Sequence, residues 1–398
     1  MRNLALLCSL ILMACTCGRA QSTTDLILDS LAQEMNAIAE SNQVPGFAVA
    51  IVTADGPVFE RGYGYANLAK KKPYTINTTQ NIGSISKTFI GISLLQAERV
   101  GHLKLDDPVN KYLPFKVVHP KYPDQPILLR HLATHTSGIS DDKNYEAAYV
   151  LLEPLTVKKG DVPKAEYKDL RNVVESKRYE LGEFLQLYFT PGQTYYHKKN
   201  FSRRAPGEQY DYSNVGAALA AYALEQATNT PFTEWTQTHI FDPLAMQNTA
   251  WEPAGVTADS RITHYFGNRV PMPNYVLNTY PDGGVWTSIH QLGKYCSATI
   301  KGMAAGNSIL SQEDYQRLLK NHTRVPKDNE SYGNFWARMD SGFYGHSGGD
   351  PGIVTLMYVN EKTGYGHLVF ISGSPEDAGF FMEVFMPLIR YARKLAAE

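Results

Sequence analysis

Ser84-Ile85-Ser86-Lys87 sets a hydroxyl and an amine three residues apart. A serine hydroxyl attacks a carbonyl well only when a base takes its proton. If Ser84 opens a helix, Lys87 lies one turn on, on the same face and within reach of that hydroxyl. Burial disfavours the charged amine, lowers its pKa and fits it to act as the base. The helix start adds unpaired N–H groups and a positive dipole end, which favour negative charge at a reaction centre. A second Ser-x-x-Lys, Ser140-Asp141-Asp142-Lys143, follows Gly138 in an acidic, turn-like stretch. There Lys143 is expected to pair with carboxylates and stay charged, and the segment reads as a helix cap or loop.

Tyr-x-Asn occurs three times, at Tyr65-Ala66-Asn67, Tyr212-Ser213-Asn214 and Tyr332-Gly333-Asn334. A tyrosine can relay protons where nearby cations lower its pKa, and an amide two residues on can hold a substrate carbonyl. Only the middle copy follows a Pro-Gly loop (Pro206-Gly207) and precedes an Ala-rich helix, from Val215 to about Gln226. The others read as strand ends or turns. Lys362-Thr363-Gly364 falls inside a hairpin turn. By contrast, His346-Ser347-Gly348-Gly349 lies just before a strand, where a backbone N–H can face the nucleophile and complete an oxyanion hole. His131 and His135 have the i, i+4 spacing of a metal pair, but no Glu follows the first and no third ligand is evident. They read as a packed or hydrogen-bonded pair. Trp286 and Trp336 read as core, and Cys296 as a small buried side chain.

The elements that must position these groups are legible in outline. Apolar residues recur at helical spacing from Thr24 to Ala39 (Leu26, Leu28, Leu31, Met35, Ile38). Gly46 to Thr53 and Val58 to Tyr65 form a β-hairpin about Ala54-Asp55-Gly56. A helix runs from Ser84 to about Val100 and ends at Gly101 as its C′ residue. Ile353 to Val359 and His367 to Ile371 are strands joined by the turn Asn360 to Gly364. Asp377 to Leu395 is an amphipathic helix interrupted by Pro387. The fold class is therefore α+β: an antiparallel sheet flanked by N- and C-terminal helices, beside a mainly helical second lobe. The sheet lobe is expected at about 21–110 and 281–398, and the helical lobe at about 111–280. The loop-like stretches at about 156–175 and 191–206 carry basic clusters that read as solvated faces.

Composition supports this and excludes other classes. The chain has 398 residues, 38 Lys+Arg against 39 Asp+Glu, 43% hydrophobic and 19% charged residues. It is too apolar for disorder, and a net charge of −1 provides no basic field for nucleic acid. Residues 1–20 read as a leader, because the apolar run from Leu4 to Ala14 after Arg2 is too short for a bilayer, which needs about 20 residues. Gly18-Arg19-Ala20 suits ordinary cleavage, whereas Leu12-Met13-Ala14-Cys15 suits a lipoprotein anchor through Cys15. Export is expected either way, to the periplasm, the membrane surface or the medium. Cys8, Cys15 and Cys17 fall in the leader, so the body holds Cys296 alone and no disulfide.

Ile82-Gly83-Ser84-Ile85-Ser86-Lys87-Thr88-Phe89 resembles the nucleophile motif of the serine β-lactamase-like hydrolases, which include class C β-lactamases, D-Ala-D-Ala carboxypeptidases, D-aminopeptidases and related esterases. Further segments match that family in order: Leu105 to Pro108, Leu129 to Gly138, Pro206-Gly207 through Asn214, Phe241 to Met246, Gly283 to Ser288 and Gly345 to Gly349. The resemblance implies that Ser84 is acylated, with Lys87 as its base or proton partner. It further implies that Tyr212 carries protons to the leaving group and that Asn214 holds a substrate amide. The N–H groups of Ser84 and Gly349 would form the oxyanion hole, with His346 and Ser347 on the substrate-binding strand.

One departure bears on substrate. Class C β-lactamases carry Lys-Thr-Gly where this chain has His346-Ser347-Gly348, and histidine is mostly neutral near pH 7. That fits the peptidase and esterase branches better. The expectation is an exported serine hydrolase of D-Ala-D-Ala peptidase or esterase type, with a small-molecule or peptide substrate, no metal and no cofactor. A class C-type β-lactamase, or a slowly acylated penicillin-binding sensor, is the alternative. The stretch 142–205 carries no assignable motif yet precedes the tyrosine motif, and is expected to shape the groove.

Overall fold

The computed structural model describes residues 22–162, 176–267, 269–320, 323–373 and 379–398. The leader with Cys15 lies outside the described residues, as do 163–175 of the basic loop stretch and the first residues of the C-terminal helical run.

A nine-stranded antiparallel sheet joins the two ends of the chain. β1 (Gly46–Thr53), β2 (Gly56–Asn67) and β3 (Lys72–Pro73) come from the N-terminal part. β4 (Thr323–Arg324), β5 (Glu330–Gly333), β6 (Trp336–Met339), β7 (Phe343–Asp350), β8 (Ile353–Asn360) and β9 (Gly366–Ser372) come from the C-terminal part. The order is β4-β5-β6-β7-β8-β9-β1-β2-β3, so the expected hairpins meet where β1 pairs with β9. In the β8–β9 turn the Asn360 side-chain oxygen accepts from the N–H groups of Lys362 and Thr363, which fixes Lys362-Thr363-Gly364 as a turn.

Side chains alternate across a strand, and in β1 both sets are buried. Phe47, Val49 and Ile51 pack with Leu31 and Met35 of α1 (Thr23–Glu40), and with Phe380, Val384 and Leu388 of the C-terminal helix Gly379–Leu395. Ala48, Ala50 and Val52 face the larger core on the opposite side, where the helix Ile289–Ala305 packs. Cys296 belongs to that helix. A Cβ added to Gly366 would stand 2.5 Å from its Sγ, so the thiol fills a close contact against β9. Trp286 and Trp336 are both buried core.

The helix expected from Ser84 begins differently. Gly83–Ser86 is a 3₁₀ turn, and α2 runs from Lys87 to Arg99. Every α2 residue from Lys87 to Ala97 is buried, the polar Lys87, Thr88, Ser93 and Gln96 included, because the helix is enclosed on all sides. Gly91 admits the Asn334 carbonyl, which would lie 1.9 Å from a Cβ there. The helix ends in a Schellman motif, with Gly101 N–H on Glu98 O, His102 N–H on Ala97 O, and Gly101 at φ +85°. Beside α2 runs α3 (Asn214–Thr228), the Ala-rich helix expected after the tyrosine motif.

Candidate active site

The nucleophile turn is tied down on two sides. Ile82 N–H donates to Val285 O at 2.9 Å, and Ile82 O accepts from the Thr355 hydroxyl of β8 at 2.8 Å. Gly83 takes φ +52°, and a Cβ on it would lie 3.1 Å from Gly349 N. The turn is thus seated against β7. A 3₁₀ turn has three residues per turn, so side chains at i and i+3 eclipse. Here that sets Lys87 over Ser84, with Nζ donating to Oγ at 3.0 Å and to Asp282 O at 2.5 Å. Burial of Lys87 holds its amine below the usual lysine range, while the carboxylates of Asp282, Asp141 and Asp350 pull it back up.

Tyr212 flanks the amine, with Lys87 Nζ 5.2 Å from its ring centre. The expectation that neighbouring cations lower its pKa is not met. Burial, reinforced by the same three carboxylates, raises it, so the hydroxyl keeps its proton. His135 stacks on the ring at 4.3 Å and 27°. His135 O accepts from Asp211 N–H at 2.7 Å and Nδ1 accepts from Ser213 N–H at 3.2 Å, so both chain neighbours of Tyr212 are held by one residue. The short helix Leu129–Ala133 carries His131 but ends before His135, which takes φ +53°. The two histidines therefore do not share a helical face.

Asn214 is half-buried at the first position of α3, with its N–H on Asp141 Oδ2 at 2.8 Å. Asp141 also accepts from Ser213 Oγ at 2.9 Å and Val215 N–H at 3.2 Å. The second Ser-x-x-Lys thus does cap a helix, but one distant in sequence. Lys143 is exposed at the head of a 3₁₀ turn, and the partner of Asp142 is His197 at 3.2 Å.

β7 supplies the opposite wall. After Gly345 its residues pair with β8 alone, leaving the other edge to the nucleophile turn. A Cβ on Gly348 would strike Ile82 O at 2.1 Å, whereas one on Gly349 would meet nothing within 4 Å. Gly349 therefore faces open space beside Ser84, and Ser347 is exposed. His346 is 2% exposed. Its Nδ1 faces Ser347 O, which can only accept, so Nδ1 carries the proton and Nε2 holds a buried, unpartnered lone pair. Burial, then the Lys87 charge, push its pKa down to about 3, and the ring is neutral.

Several site residues carried no local motif. Tyr145 donates to Asp282 Oδ2 at 2.9 Å and Tyr149 to Asp350 Oδ1 at 2.6 Å. Burial raises both carboxyls, Asp350 to about 6. Tyr332, assigned to a strand end or turn, has its ring 5.6 Å from His346 and 6.1 Å from Tyr212. The adjacency of Asp350 to Gly349, and of Asp282 to Gly283-Gly284, was the one signal available for the aspartates. The tyrosines had none.

Comparison with known proteins places the chain in a family. The beta-lactamase family model matches residues 28–383. Protein flp of Staphylococcus aureus strain MW2 is 24% identical over 342 residues, which are 85% of this chain; the chain spans 61% of that relative's length. Penicillin-binding protein 4* of Bacillus subtilis strain 168 is 25% identical over 364 residues, 86% of this chain and 71% of its own. The octameric penicillin-binding protein homologue from Pyrococcus abyssi superposes with a TM-score of 0.72 at 23% identity, covering 92% of this chain and 77% of that one, and so shares the fold. With the family model extending across the nucleophile turn, the tyrosine motif and β7, the chain belongs to the beta-lactamase family and has the serine β-lactamase-like hydrolase fold.

Proposed function

We propose that this chain is an exported serine hydrolase that opens an amide or ester through an acyl-enzyme on Ser84, in the manner of a D-Ala-D-Ala peptidase or esterase. The observation that carries the reading is the 3.0 Å contact between Lys87 Nζ and Ser84 Oγ beneath a protonated Tyr212. Deprotonated Lys87 accepts the Ser84 proton as Oγ bonds to the substrate carbonyl carbon. The N–H groups of Ser84 and Gly349 receive the oxyanion. Tyr212, a phenol that holds its proton, supplies it to the departing amine or alkoxide as the C–N or C–O bond breaks. Water then attacks the Ser84 ester and gives a proton to the Tyr212 phenolate, and Lys87 returns its proton to Ser84 Oγ as the ester C–O bond breaks and the acid leaves.

A neutral His346 offers no cation to a substrate carboxylate, which weighs against efficient β-lactam hydrolysis and suits an ester without a carboxylate. Intact-mass and peptide mapping after treatment with p-nitrophenyl acetate or a labelled penicillin tests the reading. The adduct is expected on the peptide containing Ser84, and Ser84→Ala is expected to lose turnover by more than about 10³-fold. An adduct on another residue, or equal rates in the two proteins, would overturn it.

A further inference from the structure

We propose that the cavity between the C-terminal end of α3 and the segments 178–183 and 250–255 binds a small organic cation, an alkyl or arylalkyl ammonium, at Glu225. The site goes beyond the acyl-transfer reading and does not depend on it, because Ser84, Lys87, Tyr212 and Gly349 do not line the cavity.

The cavity has a volume of about 790 Å³, within the range of about 300–1,000 Å³ that small-molecule sites occupy. Its lining is aromatic where it is deepest in the protein. Trp251, Tyr280 and Tyr222 border it, with the Trp251 and Tyr280 ring centres 5.5 Å apart and the rings inclined at 69°. The polar ends of Trp251 and Tyr280 are satisfied within the protein. Trp251 Nε1 donates to Thr236 Oγ1 at 2.7 Å, and the Tyr280 hydroxyl donates to Glu225 Oε1 at 2.9 Å. What these rings offer an occupant is therefore apolar surface and π density, which attracts a cation.

Glu225 supplies the charge. It is half-buried in the last turn of α3, and its Oε1 also accepts from Phe232 N–H at 2.7 Å. Two donors on one oxygen fix the carboxylate, while Oε2 accepts no hydrogen bond among the described residues. No positive charge among the described residues acts on it; burial and the neighbouring Glu180 raise its pKa, as for a carboxylate that lacks a counter-ion. An ionised carboxylate so placed is costly until a cation joins it.

The surrounding wall provides none. Arg178 is the one cation lining the cavity among the described residues, and it pairs with Glu252. Glu180, Glu183 and Glu225 remain, so the field in the cavity is negative. The C-terminal end of α3 adds the negative end of its dipole. The helix Leu181–Phe189 begins at the cavity with its positive end, which Glu180 and Glu183 at its own start offset. Among the described residues no group of three His, Cys, Asp or Glu side chains converges as metal ligands would. An organic ammonium fits instead: its N–H groups reach Oε2 in a charge-assisted hydrogen bond while its carbon skeleton covers the rings.

The test titrates the full chain calorimetrically with phenethylamine, which is protonated near neutral pH, and with 2-phenylethanol, its uncharged counterpart. Wild type is expected to bind the amine with a Kd of about 1 mM or tighter, and at least about tenfold more tightly than the alcohol. Glu225→Gln keeps an oxygen for Phe232 N–H and the Tyr280 hydroxyl but removes the charge. It is expected to bring the two ligands to within about twofold of each other. Thr233→Trp, at an exposed position on the lining, fills the cavity and is expected to weaken the amine at least about fivefold with Tm held. Equal binding of amine and alcohol by wild type, or no binding of the amine at about 10 mM, overturns the inference. So does an amine affinity that survives in both variants, which puts the amine elsewhere, the catalytic cleft included. If Glu225→Gln fails to fold, the amine-to-alcohol ratio of wild type and the loss in Thr233→Trp decide it.

Discussion

Lys87 Nζ stands 5.2 Å from the centre of the Tyr212 ring and 3.0 Å from the Ser84 hydroxyl, and the pKa values of the amine and the phenol are displaced in opposite directions. Burial drives both displacements, because removing water disfavours an ammonium and a phenolate alike. The amine is left readier to lose its proton and the phenol readier to keep one. Titratable neighbours pushed apart in this way divide the work into a base and an acid. In the proposed mechanism Lys87 takes the proton of Ser84 and Tyr212 returns one to the leaving group.

Tyr212→Phe isolates the second half of that division. The ring remains to stack on His135 and to face the Lys87 amine, and only the hydroxyl is lost. kcat is expected to fall by about 10²–10⁴-fold, the usual contribution of a positioned acid, with Tm held within a few degrees. The loss should be larger for anilide than for p-nitrophenyl ester, whose leaving group needs no proton. Equal losses for the two would show that the hydroxyl acts by some route other than protonating the leaving group.

Asp282→Asn tests the first half through pH. With Lys87 as the proposed base, activity is expected to rise as it loses its proton, and the Asp282 charge opposes that loss. Neutralising Asp282 leaves burial less opposed, so the acid limb of the kcat/KM profile is expected to move to lower pH. Movement to higher pH would contradict Lys87 as the base. The same variant reads out stability. Burial raises the Asp282 pKa above its unfolded value, so the folded chain binds that proton more tightly, and the stability it contributes is lost as pH rises through the folded pKa. Asp282→Asn should therefore gain Tm over wild type above neutral pH, with the gain vanishing near pH 4.

How far the sequence reached is visible in these residues. β1, β2, β8 and β9 follow from short strand-like runs bounded by turn signals, and the terminal helices from period-3.6 patterning, both of which are local. Ser84, Lys87 and Tyr212 were legible because each sits in a short motif whose order along the chain is distinctive. Asp282, Asp350, Tyr145 and Tyr149 were not, since Tyr145 and Asp282 are 137 residues apart and Tyr149 and Asp350 are 201 apart. A hydrogen bond at that separation leaves no periodicity. The 3₁₀ form of residues 83–86 was also hidden, because it arises from the seat on β7 and β8 rather than from helix propensity.

Asp141 couples the capping of α3 to the position of Tyr212. Its carboxylate accepts from Ser213 Oγ and from the N–H groups of Asn214 and Val215. Asp141→Ala removes all three and is expected to cost about 2 kcal/mol, at the upper end for a lost cap, measured by urea unfolding. It should also lower kcat, because the segment carrying Tyr212 loses its anchor. Asp141→Asn keeps an accepting oxygen and should cost less on both counts. A stability loss with kcat unchanged would separate the cap from the catalytic geometry.

Adjacent glycines on β7 give the last contrast. A methyl at Gly348 would lie 2.1 Å from Ile82 O and 2.3 Å from Thr355 Oγ1, inside the bond that holds the nucleophile turn to β8. Something must shift, and overpacking of this kind costs about 1–3 kcal/mol. Gly348→Ala is therefore expected to lower Tm by several degrees and to reduce kcat for every substrate, since the displaced residues lead directly to Ser84. A methyl at Gly349 meets nothing within 4 Å and leaves the backbone N–H in place. Gly349→Ala should keep the wild-type Tm and raise KM in proportion to acyl-group size, because the methyl projects into space the substrate uses. Thermal melts with kcat and KM for acetyl, butyryl and phenylacetyl p-nitrophenyl esters decide it. A Gly349→Ala protein that loses Tm as Gly348→Ala does, or whose KM ignores acyl size, would mean that Gly349 does not face the cleft.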